Sequence, residues 1–334
     1  MGPIVLGLKE SRIVNIRSFQ AADEFAQLKI YNTAAAGQTK FKPAAILDLQ
    51  RRTQAKDFDP ATRFYAVEKG NVVGYCTYQL NGRVGYPWCL PGSEVHAESL
   101  FAETLKAMTA RGIRQAFSAY RKDWPAINDF FQKHDFVLAR EMINFTLSFE
   151  NMPTPSARLG NAVTPATLAD IPGIYALDPS VFRVPNADAL KKALCNNPWF
   201  SPESLFVLRN REDGTPLAAG IFITNAKYAD PRAVDAAMPC FRLGAFGTEG
   251  MTTKRIRGLF SFVTRPDRNV FSAGMDLLGY AASQLRDEDD ISCYAAQIAS
   301  DAPALLTFYQ RIFERQGSFP VYERDLTNQV KSKK

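Results

Sequence analysis

The segment Leu305–Phe313, LLTFYQRIF, and the upstream segment Ala126–Phe136, AINDFFQKHDF, are two versions of one short helix-like phrase. Each carries a central aromatic pair, FF in the earlier copy and FY in the later one. The second members of these pairs, Phe131 and Tyr309, lie 178 positions apart, a little over half of the 334-residue chain. A phrase that recurs at this distance predicts an internal duplication.

The pattern of secondary structure supports the duplication. In each half, hydrophobic periodicity and turn residues predict the order strand, helix, helix, strand, strand, strand, helix, strand, helix, strand. A hairpin turn is expected at Gly70-Asn71 in the first half and at Arg211–Gly214, REDG, in the second. Pro125 and Pro303 each stand near the first turn of a predicted helix, where proline is tolerated.

A segment of linker composition separates the two halves. Glu150–Asn161, ENMPTPSARLGN, holds two prolines, one glycine and several polar residues. We therefore predict a first domain over residues 1–150, a linker over 151–160 and a second domain over 161–334. The main asymmetry is the stretch 226–254, which lies between the third and fourth strands of the second half, where the first half has only NGR.

The composition is that of a globular protein and limits the choice of partners. Hydrophobic residues make up 46% of the chain and charged residues 22%. The net charge of +6 favours anionic partners in general. Because no basic and aromatic stripe occurs, we expect no nucleic-acid partner. Because no apolar run approaches about 18 residues, we expect no membrane span.

The cysteines and histidines argue against a metal site. The five cysteines are scattered, no CxxC occurs, and the two histidines are far apart. This pattern predicts neither a zinc site nor a disulfide framework. The start of the chain, MGPIVLGLKESR, lacks the basic region and cleavage pattern of a signal peptide. We therefore expect free thiols, no metal and a reducing, cytoplasmic location.

The duplicated order of elements resembles the fold of the Gcn5-related N-acetyltransferases (GNATs). The resemblance implies an α+β fold class, layered as α/β, with two GNAT-like domains, each a mixed, mostly antiparallel sheet flanked by helices. In that family acetyl-CoA lies at the break between the fourth and fifth strands. The loop after the fourth strand and the start of the next helix wrap the pyrophosphate, because a helix N-terminus offers unpaired amide donors.

In the second half, FVTRPDRNVFSAGMDLLGYA keeps part of the family's phosphate motif. Pro266 and Gly274 match it, whereas Asn269 stands where Arg or Gln is usual and Ser272 where the first glycine is usual. The resemblance implies that acetyl-CoA, or another acyl-CoA, is the co-substrate. The implied contacts are Phe262, Val263, Thr264, Arg268, Asn269, Val270, Phe271, Ser272, Ala273 and Gly274.

TFYQRIF resembles the family's second motif, whose tyrosine hydroxyl protonates the departing thiolate. Tyr309 is therefore the implied general acid. Glu249, in GTEGMTTKR just before the fourth strand, is the candidate for deprotonating the amine, and an exposed loop acid is the alternative interpretation. Lys254, Arg255 and Arg257 fit either the 3′-phosphate of CoA or a solvated basic face.

The first half resembles a degenerate copy. Val95 stands where the first glycine is expected, and a β-branched residue resists the positive φ that glycine allows. Glu94 would place a negative charge beside two phosphates. Phe131 replaces the tyrosine. Trp88 and Trp124 flank the cleft, where they fill the space of a pantetheine arm or serve ordinary core packing.

These observations predict an acyl-CoA-dependent N-acyltransferase, with acetyl-CoA as the first candidate. The amine of a small-molecule or peptide acceptor would attack directly, and the chemistry would lie in the second half. The alternative is a non-catalytic GNAT-like binding or regulatory protein that has lost acyl transfer. We interpret His96 and His134 as structural, and Cys240 lacks the nearby histidine that a thiol nucleophile needs.

Overall fold

The computed structural model describes residues 14–152, 163–182, 184–196, 202–223, 256–284 and 293–327. The elements of the first half are β1 (Asn15–Ser18), α1 (Asp23–Ala34), α2 (Ile46–Thr53), β2 (Arg63–Glu68), β3 (Asn71–Thr77), β4 (Trp88–Cys89), α3 (Ala97–Ala110), β5 (Gln115–Ala119), α4 (Pro125–Lys133) and β6 (Val137–Ser148). Those of the second half are β7 (Val163–Pro165), α5 (Ile171–Leu177), α6 (Pro179–Phe182), α7 (Ala187–Cys195), β8 (Leu205–Arg209), β9 (Pro216–Ile223), β10 (Ile256–Thr264), α8 (Val270–Ser283), β11 (Cys293–Ala299), α9 (Pro303–Ile312) and β12 (Glu314–Asp325).

The described elements follow the predicted order in both halves. The second half adds one short helix, α6, between the two expected ones. The predicted hairpins form as well. The first turns at Lys69 and Gly70, one residue earlier than the expected Gly70-Asn71, and these two residues have φ of 49° and 80°. Two successive positive φ values match the twist of a tight antiparallel hairpin.

The chain divides into two compact units that do not follow the linear domains expected from the sequence. Unit 1 comprises Met1–Ala139 with Val321–Lys334, and unit 2 comprises Arg140–Pro320. In unit 2, Met142–Ser148 of β6 pair antiparallel with β11. In unit 1, Val321–Asp325 of β12 pair antiparallel with β5. Each unit is thus completed by the last strand of the other half, which linker composition alone does not indicate.

Unit 1 contains the antiparallel sheet β1-β2-β3-β4 and the β5–β12 pair. Helix α3 packs its apolar side, including Leu100, Phe101 and Met108, into a continuous core with α4 and the strands. Spacing of three or four residues puts such side chains on one helix face. The buried end of α4 contributes Phe131, which is fully shielded from solvent.

Unit 2 is a three-layer α/β/α sandwich around the strand order β6-β11-β10-β9-β8-β7. Its described strand pairs are antiparallel except β10 with β11, which is parallel. Helices α8 and α9 cover one face with a phenylalanine-rich core. Helices α5, α6 and α7 cover the other face with a smaller aliphatic core. This mixed, mostly antiparallel sheet between helices confirms the predicted fold class.

The exchanged strand β6 makes a testable difference between two fragments. Residues 140–320 keep β6 beside β11, whereas residues 161–334 lose it and leave the β11 edge unpaired. We expect 140–320 to unfold in one cooperative thermal transition, followed by circular dichroism, and 161–334 to show none. A cooperative transition at the same temperature for both fragments would contradict the assignment of β6 to unit 2.

Candidate functional site

The central feature of the candidate site is a gap between the only two parallel strands described in unit 2. The recorded pairing of β10 with β11 ends at Leu259 and Ala295. Beyond that point β10 stays paired with β9 up to Thr264, and β11 stays paired with β6 up to Ala299. The two inner strand edges, residues 260–264 and 296–299, therefore part. We call this the β10–β11 gap. Backbone groups along such edges need partners other than each other.

Tyr309 on α9 lies over β10 on the face covered by α8 and α9. Its ring centroid is 5.9 Å from that of Phe262 and 5.0 Å from that of Phe313. The side chain has no exposed area, and its hydroxyl has no hydrogen-bond partner among the described residues. Burial raises the pKa of the phenol well above its ordinary value. A buried hydroxyl without a partner is uncommon, because removing it from water costs free energy.

The start of α8 brings the predicted phosphate-binding residues together after β10. Asn269 caps the helix, because its side-chain oxygen accepts a hydrogen bond from the Ser272 amide at 3.1 Å. The amides of Val270 and Phe271 precede it and have no acceptor within the helix. Asn269 thus occupies the Ser272 amide, one of the donors that the family motif implies for phosphate. The amides of Val270 and Phe271 remain for a ligand.

Gly274 has a packing role in α8. A Cβ at this position would lie 2.6 Å from Cε2 of Phe308 and 2.8 Å from Cζ of Phe262. Both distances are below any ordinary carbon contact. The resemblance implied that Gly274 contacts the cofactor, and the described geometry shows that its small size lets α8 approach α9 and β10.

Charged side chains surround the turn between β10 and α8. Arg265 pairs with Asp267 at 2.8 Å, and the guanidinium of Arg311 lies 5.6 Å from the ring centroid of the half-exposed Phe271. On the β8 side of α8, a cavity of about 430 Å³ is lined by Arg268, Asn269, Ser272 and Ala273 together with residues of the β8–β9 turn. The residues of this turn were not predicted from the sequence, in which Arg211 lies about sixty positions before α8. The cavity lining also includes the carboxylates of Glu212 and Asp276.

Unit 1 fills the equivalent region with aromatic side chains. Arg83 and Phe117 make the parallel contact there, with the Val84 amide donating to the Phe117 carbonyl at 2.9 Å, and the strands then part. The amide of Tyr86 donates to the hydroxyl of Tyr120 at 2.7 Å. The rings of Trp88 and Trp124, both about 5% exposed, meet edge to face with centroids 6.4 Å apart.

The two halves differ most at the positions that form this filling. The offset of 178 that relates Phe131 to Tyr309 also relates Trp124 to Ala302 and Tyr120 to Ile298. Unit 2 therefore has neither the indole of Trp124 nor the hydroxyl of Tyr120 at its gap. At these two positions the cleft-filling side chains of unit 1 are replaced in unit 2 by a small residue, Ala302, and by one without a hydroxyl, Ile298.

Several predicted residues lie outside the described part of the chain. These are Glu249, Cys240, Lys254 and Arg255. Within the described residues, no group of three or more His, Cys, Asp or Glu side chains is placed to hold a metal ion. No described helix combines the length and apolar character needed to cross a membrane.

Comparison with known proteins supports the fold. No family model and no curated protein matches the chain. Among solved structures, it is similar to a GCN5-related N-acetyltransferase from Sphaerobacter thermophilus, with 11% identity over 94% of this chain and 96% of that one and a TM-score of 0.59. It is also similar to a tandem GNAT protein from the clavulanic acid biosynthesis pathway, with 12% identity over 94% and 99% of the chains and a TM-score of 0.53. The chain therefore has the tandem GNAT fold.

The packing of Gly274 predicts the outcome of adding one methyl group. We expect Gly274→Ala to lower the free energy of unfolding by about 1 kcal/mol, because overpacking costs roughly 1–3 kcal/mol and alanine recovers only about 1 kcal/mol of helix propensity. Urea denaturation measures the change. In a Phe308→Leu background the contact with Phe308 is removed and the one with Phe262 remains, so that Gly274→Ala should cost less free energy of unfolding there than in the parent protein. A Gly274→Ala protein more stable than the parent would refute the packing role.

Proposed function

We propose that this protein is an acyl-CoA-dependent N-acyltransferase, with acetyl-CoA as the first candidate donor and with its chemistry in unit 2. The observation that carries the proposal is the buried, unpartnered hydroxyl of Tyr309 beside the β10–β11 gap. A proton donor held in an apolar pocket has an evident use where a thiolate leaves. The tandem GNAT fold of the chain supports the same reaction class at the level of the fold.

The residues present fit the pantetheine arm of an acyl-CoA. The parted edges of β10 and β11 offer backbone donors and acceptors, and Ala302 stands where unit 1 has Trp124. Phe262, Val263 and Thr264 would supply the backbone groups on β10. Burial of an amide-containing arm requires such hydrogen bonds.

The phosphate end is a reduced version of the family motif. The amides of Val270 and Phe271, the positive end of the α8 dipole and the exposed Arg268 would hold the pyrophosphate. The Ser272 amide already binds Asn269, although its hydroxyl remains on the surface of the cavity at this helix end. Arg311, beside Phe271, is a further cation at the same end of α8.

An acyl-CoA supplies a thioester, so that attack by an amine nitrogen forms a C–N bond while the C–S bond breaks. Tyr309 would donate its Oη proton to the departing sulfur, and its raised pKa keeps the phenol protonated at neutral pH. The proton lost by the amine would return to Tyr309 through water or a base. Glu249 keeps its proposed role as that base. The acceptor is a small-molecule or peptide amine.

Unit 1 would be a scaffold without acyl-CoA. The Tyr120 hydroxyl already satisfies the Tyr86 amide, and Trp88 and Trp124 fill the cleft. A cytoplasmic location remains part of the proposal. The described thiols of Cys76 and Cys89 are free, and burial raises the pKa of each to about 12, as in inert core cysteines.

One observation favours the second candidate function, a non-catalytic binding protein. Asn269 caps α8 and Gly274 packs against Phe308 and Phe262, so both residues have a role in the fold that needs no phosphate. In that case the hydroxyl of Tyr309 would have no chemical role.

Tyr309→Phe separates the two candidates. If Tyr309 is the general acid, release of CoA with an amine acceptor should slow by about 10²–10⁴-fold, while the dissociation constant of acetyl-CoA stays unchanged. Thiol release and isothermal titration measure the two quantities. Undiminished transfer would refute the role of Tyr309, and no acetyl-CoA binding by the parent protein would favour the binding protein.

The same variant has a stability readout that needs no substrate. Removing a buried hydroxyl that has no partner should leave the free energy of unfolding unchanged or raise it by roughly 1 kcal/mol. Tyr65→Phe is the matched control, because the buried Tyr65 hydroxyl donates to Oε1 of Gln27 at 2.9 Å. That control should lose about 1 kcal/mol. Equal losses in both variants would show that the Tyr309 hydroxyl is satisfied in solution.

A further inference from the structure

A pair of polar side chains borders the β10–β11 gap on the face opposite Tyr309. Ser261 and Gln297 each lie two residues beyond the last recorded strand pair, Leu259 with Ala295. Continuing that register places them across the gap from one another. Both are more than nine-tenths buried. They share the α5–α7 face of the sheet with Val263 and Ala295, because side chains alternate along a strand.

Gln297 is held in place from behind. Its side-chain nitrogen donates to the Oδ1 of Asn144 on β6 at 2.8 Å, and Asn144 is itself 2% exposed. Burying amides and hydroxyls costs free energy unless they are hydrogen-bonded. An apolar strand face would be the cheaper choice if packing were the only demand.

Unit 1 makes that cheaper choice. The offset of 178 relates Gln297 to Ala119, and the alignment of Gly274 with Ala97 relates Ser261 to Val84. The polar pair is therefore present beside the gap of unit 2 and is replaced by Val84 and Ala119 beside the filled cleft of unit 1. The polar pair occurs in the unit that lacks the aromatic filling and is apolar in the unit that has it. We therefore attribute Ser261 and Gln297 to ligand binding rather than to the stability of the fold.

We propose that Ser261 and Gln297, positioned by Asn144, form an acceptor wall, the surface that recognises the amine acceptor. The acceptor carries a neutral hydrogen-bonding group, such as an amide or hydroxyl, next to its amine. This inference rests on the proposed acyl transfer in unit 2. The described wall is uncharged at the gap. A carboxylate beside the amine would face two neutral side chains, which do not offset the cost of burying its charge.

The test compares amines that differ only beside the nitrogen. With acetyl-CoA as donor, kcat/KM is measured for glycinamide, glycine and n-propylamine by thiol release. The ratio of glycinamide to n-propylamine is compared between the parent and its variants, so that the intrinsic reactivity of each amine cancels. We expect Ser261→Ala to lower this ratio about fivefold, and Ser261→Ala with Gln297→Ala to lower it further. The KM for acetyl-CoA should not change.

A second readout is independent of turnover. Ligand-observed NMR measures the binding of glycinamide to the protein saturated with CoA, and the Ser261→Ala protein should bind it about fivefold more weakly. Thr146→Val is the matched control, because Thr146 lies on the same face of β6 and bonds Gln316 rather than bordering the gap. It should leave both readouts unchanged. Circular dichroism melting checks that each variant is folded.

The outcomes separate this inference from the proposed function. If acetyl-CoA binds and acyl transfer occurs, but the ratio is the same in Ser261→Ala, in the double variant and in the parent, the acceptor wall is overturned alone. Glycine as the best acceptor of the parent protein also overturns it. If acetyl-CoA does not bind and no amine releases CoA, the proposed function fails and this inference fails with it.

Discussion

The separation of β10 from β11 determines which hydrogen-bond partners unit 2 needs at the centre of its sheet. Two parallel strands that begin side by side must satisfy their inner edges in another way once they separate, because buried backbone groups are rarely left without partners. Unit 1 meets this requirement with its own side chains, as the hydrogen bond from Tyr86 to Tyr120 demonstrates. Unit 2 has Ile298 in place of that hydroxyl and Ala302 in place of Trp124. A ligand with amide groups is the simplest partner for its edges.

The two units therefore share one fold and differ in the side chains at the point where the two strands separate. Unit 1 combines an aromatic filling with Phe131, Val84 and Ala119, all of them apolar. Unit 2 combines Ala302 in place of the indole with Tyr309 on one face and Ser261 and Gln297 on the other. Because β6 pairs with β11 and β12 pairs with β5, each unit needs a strand from the other half of the chain to complete its sheet.

The sequence predicted the element order and the fold class because both rest on local periodicity and on turns. It did not predict the exchange of last strands, because antiparallel pairing of β6 with β11 or with β5 demands the same alternating pattern. The motif comparison located the start of α8 correctly along the chain. The functions of Asn269 as a helix cap and of Gly274 as a packing contact depend on distances to Ser272 and Phe308 that no spacing rule contains.

The central claim is that one acyl-CoA binds per chain, in the gap of unit 2. Isothermal titration with acetyl-CoA, on the full chain and on Ala302→Trp, tests it most directly. The substitution places in unit 2 the indole that fills the cleft of unit 1. We expect the parent protein to bind one equivalent of acetyl-CoA and a folded Ala302→Trp variant to bind none. Two equivalents, no binding by the parent, or unchanged binding by the variant would contradict it.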